Sequence, residues 1–113
     1  MAREITMIDI AQKITEKIHA LEKGRGVLAQ RGEEKARTIS DYSLAMSVAT
    51  IKLKAEGTQA TLIRDLAKGL CSEAEYKMLV AESAYKNAVI GMSSLEAELN
   101  GYQSVNRYLQ HEV

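Results

Sequence analysis

Proline is absent from this 113-residue chain, and so are phenylalanine and tryptophan. Without proline, nothing removes a backbone donor inside a helix, so long uninterrupted helices are permitted throughout. The only aromatic residues are five tyrosines, although hydrophobic residues make up 46% of the chain. β-Sandwiches and most enzyme cores draw on large rings, so this composition points to an aliphatic, helical core. The single cysteine, Cys71, excludes an intramolecular disulfide. It fits a reducing compartment and leaves an intermolecular bridge open. An excess of one charge is missing too, because fifteen basic and fifteen acidic side chains cancel. Such a chain has no overall field to draw in DNA or an acidic membrane. No apolar run approaches the roughly 20 residues that span a bilayer. Asp9 and Lys13 also interrupt the N-terminal stretch where a signal peptide would carry its apolar region. The expected location is therefore cytoplasmic.

Heptad order, by contrast, is plentiful. One series runs Ile14, Ile18, Leu21, Arg25, Leu28, Gly32, Lys35, Ile39, Tyr42, Met46, Ala49, Leu53. A second runs Met78, Ala81, Tyr85, Ala88, Met92, Leu95, Leu99, Tyr102, Asn106, Leu109. Alternating steps of three and four put each series on one side of a helix, as in a coiled-coil seam. The spacing predicts a first helix over about 3–54, softened where Gly24, Gly26 and Gly32 each cost about 0.8–1 kcal/mol relative to Ala. Gly57 supplies a stop, with Thr58 or Thr61 available to cap the next helix. That short helix is expected over about 61–68. Ser72 to Glu75 has the S-x-x-E form of a capping box, which starts a last helix over about 73–110.

These elements predict an all-α fold class: one helical domain, a long antiparallel hairpin with coiled-coil-like seams and a short connecting helix. Leu53 is expected near Ala74, and Leu28 near Gly101. Leu44, Val48 and Ile51 form a second apolar stripe off the first seam, and Leu79, Val80, Val89 and Ile90 lie off the second. Two helices do not cover faces this wide, so self-association into a multi-helix bundle is expected. Residues before about Lys17 are expected to overhang and cross onto a partner copy.

Catalytic signals are absent. His19 and His111 sit near opposite ends of the sequence, no G-x-S-x-G elbow occurs, and both fit ordinary surface or partly covered histidines. Cys71 precedes a helix start, where a dipole lowers a thiol pKa, but a small apolar plug under the turn accounts for it equally well. No CxxC or HExxH occurs, so no metal and no cofactor is expected. Gly24-Arg25-Gly26 lacks the strand and the GK[ST] of a phosphate loop.

Two polar groupings carry more weight. Lys52, Lys54, Arg64, Lys68 and Lys77 gather around the hairpin tip, diluted by Glu56, Asp65, Glu73 and Glu75. Lys86, Ser93, Asn100 and Arg107 recur every seven residues beside the second seam, with Gln103 on nearly the same face and Tyr108 close by. Amides read base or ribose edges, Arg forks onto phosphate, and Tyr stacks. The candidate ligand-binding set is Lys86, Asn100, Gln103, Arg107 and Tyr108, with Arg64 and Lys68 supplied by a neighbouring subunit. A plain polar surface, with Asn106 as a register device, accounts for the same stripe.

The segments Thr61-Leu62-Ile63-Arg64-Asp65, Ala67-Lys68-Gly69, Tyr85-Lys86, Leu99-Asn100-Gly101 and Gln103 to Leu109 resemble a group of small, functionally uncharacterised bacteriophage proteins. Members are often encoded among early genes near recombination functions. The resemblance covers the second half of the chain, while Ala55 to Ala60 is shorter than the matching insert. It implies a phage origin, a host bacterial cytoplasm and a helical hairpin, and it brings no active site. Three non-enzymatic roles are then expected. First comes an anti-defence sponge that sequesters small nucleotide immune signals in a homo-oligomer. Next is a recombination or replication accessory acting on single-stranded DNA or its binding proteins. Last is an inhibitor that binds a host defence protein.

Overall fold

In the computed structural model, residues 6–111 are described, and they form three helices: α1 (Met7–Ala55), α2 (Ala60–Leu70) and α3 (Ser72–His111). No strand occurs among the described residues. The architecture is an all-α helical hairpin in which α1 and α3 run antiparallel. The expected start near Arg3 lies outside the described residues. At Met7 the start has a local cause: the Asp9 amide donates to Thr6 Oγ1 at 3.2 Å, while Asp9 Oδ2 accepts from the Thr6 amide at 3.1 Å. This reciprocal pair satisfies two otherwise orphaned groups of the first turn.

α1 passes through Gly24, Gly26 and Gly32 without a break. Two of these glycines face α3 at close quarters. A side chain at Gly24 would collide with the Met92 sulfur, and one at Gly32 would touch the Tyr85 ring at 3.4 Å. The propensity lost at these positions is offset by the closeness of the helices. α1 ends where Gly57 takes φ +81. The Thr58 amide bonds back to the Leu53 carbonyl at 3.1 Å, and the Gly57 amide to that of Lys54 at 3.1 Å. That pairing is the Schellman stop, which needs a residue free to adopt positive φ.

The expected caps differ from those that form. Gln59, not Thr58 or Thr61, occupies the cap position of α2, and its side chain makes no capping bond. Cys71 alone separates α2 from α3, and its carbonyl accepts from the Glu75 amide at 3.0 Å. Ser72 is thus already helical, and the Glu75 carboxylate faces Tyr42 instead of a cap.

The chain divides into two compact units. One comprises residues 30–86; the other pairs residues 6–29 with residues 87–111. In the first, Ala49, Leu53, Ile63, Ala67 and Cys71 form a core, with Tyr42, Ala45 and Met46 packed against it. Burying a side chain such as Leu53 or Ile63 contributes about 1.5–3 kcal/mol. In the second unit only Ile10 and Leu21 are buried among the described residues.

The hairpin register departs from expectation, and α2 is the reason. Leu53 packs on α2 residues Ile63 and Ala67 and on Cys71, not beside Ala74. α3 first meets α1 further back, where the Tyr42 hydroxyl donates to Glu75 Oε2 at 3.4 Å. In the other unit Gly24 and Val27 share a notch with Ala88 and Met92, so Leu28 is level with Ala88 and not with Gly101. Among the described residues the expected overhang before Lys17 is also absent. Lys17 pairs with Glu98, and Ile10 is only 4% exposed. α2 covers the last turns of α1, so α3 begins to pair with α1 only near Tyr42.

Candidate functional site

The seven residues proposed from sequence stand on exposed helix surfaces. Arg64 and Lys68 project from α2, and Lys86 from α3 of the same unit, where it reaches Glu82 at 3.7 Å. Asn100, Gln103, Arg107 and Tyr108 occupy the last turns of α3 in the other unit. Within that stretch Arg107 Nη2 donates to Ser104 Oγ at 3.4 Å, and Ser104 Oγ donates to the Asn100 carbonyl at 3.0 Å. This links Asn100, Ser104 and Arg107 along one face. None of the seven lines the Gly24–Met92 notch or the grooves beside α1.

The Tyr42 hydroxyl holds its proton above the usual tyrosine range because of desolvation first, then the nearby Glu75 carboxylate. The Lys17 ammonium is also raised, chiefly by its hydrogen bond to Glu98, with desolvation opposing. Both are structural contacts between α1 and α3. Lys35 adds a third, lying 4.8 Å from the Tyr85 ring centroid, within the reach of a cation–π attraction. Cys71 is 5% exposed in the core beside Ile63 and Ala67, which matches the apolar-plug reading. His19 and His111 are exposed on α1 and α3. No grouping of acidic, His and Cys side chains suited to a metal ion occurs among the described residues. Of the described helices, none is long and apolar enough to cross a membrane.

An open apolar surface belongs to residues 30–86. A groove of about 530 Å³ runs between α1 and the end of α2, lined by Asp41, Leu44, Val48, Lys52, Leu70 and Cys71. Its floor is apolar, and its charged residues stand at its two ends. Leu44 is 65% exposed, Ile51 67% and Leu70 63%, with Val48 nearly as open. Leu62 and Leu66 extend the Leu70 ridge along α2 at four-residue steps, on the face flanking the buried Ile63 and Ala67. α3 contributes a separate exposed face of Tyr76, Leu79 and Val80. Lone exposed apolar residues are ordinary on protein surfaces; contiguous rows mark interaction sites.

The stripe Leu44–Val48–Ile51 was visible in the sequence. Leu70 was not, because its place beside α1 depends on how α2 folds back. No family model, curated protein or solved structure matches this chain.

Proposed function

We propose that this chain is a non-enzymatic protein-binding module that docks its partner on apolar helix faces of residues 30–86. The observation that carries this reading is the row of half- to two-thirds-exposed leucine, valine and isoleucine side chains on α1 and α2. Helix-in-groove recognition needs such a row at i, i+4 and i+7 spacing, with pockets between neighbouring ridges. Leu44, Val48 and Ile51 supply that spacing, and Leu70 supplies the facing ridge. The partner classes this face suits are another copy of this chain and, taken with the phage resemblance, a host defence factor or a protein of recombination. The test is site-specific photocrosslinking in cells, with a benzophenone residue at Val48 or Leu79 and a control at exposed Gln30. Discrete protein adducts from the apolar positions, absent from Gln30, are expected. No adduct, or the same adducts from Gln30, contradicts the reading.

A second reading, sequestration of a small nucleotide, is favoured by the Asn100–Ser104–Arg107 chain on α3 with Gln103 and Tyr108 beside it. Its phosphate-binding cations, Arg64 and Lys68, would come from another copy. A thermal-shift series with cyclic di- and trinucleotides and ADP-ribose derivatives tests it. Saturable stabilisation by one ligand, lost in Arg107→Ala, supports sequestration, and a flat response across the series argues against it.

A further inference from the structure

We infer that the occupant of the α1–α2 groove is a second copy of this chain, docked about a two-fold axis with the two α1 helices antiparallel. This inference rests on the protein-binding reading and names the partner at that face. Charge complementarity supports it.

Asp41 and Lys52 line the same edge of the groove at opposite ends, with Leu44 and Val48 between them. They are separated by about 16 Å along the helix at 1.5 Å per residue. Neither makes an ion pair among the described residues, although Arg31, Arg37, Lys77 and Lys86 all reach a carboxylate three or four residues away. A two-fold axis normal to a pair of antiparallel helices reverses position along the helix and preserves the flank. Asp41 of one copy therefore meets Lys52 of the other on the same edge, and the reciprocal pair forms at the far end. The same operation sets Leu44 against Ile51 of the second copy and places Val48 near the axis. Both copies of Leu70 lie along the charged edge.

The opposite flank of the stripe carries Ser40, Ser43 and Ser47. The Ser47 hydroxyl is already bonded to the Ser43 carbonyl at 3.1 Å. Small side chains on this flank let two α1 backbones approach closely. A parallel pairing would keep position along the helix but exchange the flanks, setting Asp41 and Lys52 against the serine edge of the other copy, so only the antiparallel arrangement gives each charge an opposite partner.

The experiment is analytical ultracentrifugation of the full chain from low micromolar concentration upward, on four samples: wild type, Asp41→Lys, Lys52→Asp, and an equimolar mixture of the two variants. Wild type is expected to reach a dimer. Each single variant places like charges at both ends of the interface and is expected to dimerise at least roughly tenfold more weakly. The mixture is expected to regain the dimer, because each variant then supplies what the other lacks at both ends. Circular dichroism on each variant confirms that the helices persist, since both sites are exposed. A wild type that stays monomeric overturns the inference, as does a mixture no tighter than its components. Single variants that dimerise like wild type overturn it too. The protein-binding reading fails separately, on the absence of any Val48 or Leu79 adduct.

Discussion

Residues 30–86 and the unit formed by 6–29 with 87–111 are built from the same two long helices, yet they bury very different amounts. Where α2 packs on α1, five side chains including the linking Cys71 form a connected core, and Ala67 is fully excluded from solvent. Where only α1 and α3 meet, Ile10 and Leu21 are buried and most seam residues stay half-covered. The difference lies in the side chains at the contact: where α2 lies along α1, small Ala49, Ala67 and Cys71 interleave with Leu53 and Ile63. The two-helix unit offsets its thin core with closeness and polar contacts. Gly24 admits Met92, and Lys17 holds Glu98 across the seam. The three-helix unit has a true core and turns its remaining apolar surface outward, which is where a partner is expected.

The largest effect should come from the core itself. Leu53→Ala is expected to cost about 2–5 kcal/mol in urea denaturation, while Leu21→Ala in the two-helix unit should fall at or below about 2 kcal/mol, since Leu21 is equally buried but its neighbours are only half-covered and can close over the gap. Equal losses at the two sites would break the contrast. Gly57→Ala should cost about 1 kcal/mol, read as a lower Tm, because φ +81 is strained for any side chain bearing a Cβ. Gly26→Ala should act in the opposite direction, raising stability by about 0.8–1 kcal/mol. It lies mid-helix with nothing within 4 Å of the new methyl group.

The smallest effect concerns pH, and each unit contributes one group to it. Lys17 in one and Tyr42 in the other both hold their protons more tightly folded than unfolded. The folded state therefore binds more protons across that window. Their contribution is complete at neutral pH and is lost as pH rises through about 10 and beyond. Denaturation midpoints are expected to be flat from neutral to mildly alkaline pH and to decline above it. Glu98→Gln should soften that decline.

Much of the fold was legible in periodicity. Every position of the second heptad series is half-buried or buried, from Met78 to Leu109. The first series holds less well: Ile18, Arg25 and Ile39 are exposed, while Lys17, Gly24 and Thr38 turn toward the interior. A strict seven-residue repeat drifts about 20° per heptad around an α-helix, so a 49-residue helix need not keep one series inward. The register was not legible. It depends on α2 covering the last turns of α1, a contact between segments whose pairing no local pattern encodes. The same limit applied to the candidate site. Arg64, Lys68, Lys86, Asn100, Gln103, Arg107 and Tyr108 were chosen for side-chain chemistry, and residue type does not report concavity. The groove joins a stripe visible on α1 to Leu70, which only the fold brings alongside.

Native-state hydrogen exchange reads the contrast between the units most directly. Amides in the α1 turns around Ala45 to Leu53, in α2 at Ile63 to Ala67 and in α3 near Ala81 are expected to exchange most slowly, approaching the global unfolding limit. Amides around Leu21 to Leu28 and Leu95 to Leu99 are expected to exchange faster, through local separation of two helices. Uniform protection along α1, or slower exchange in the two-helix unit, would contradict the claim that the packing of α2 on α1 makes the core.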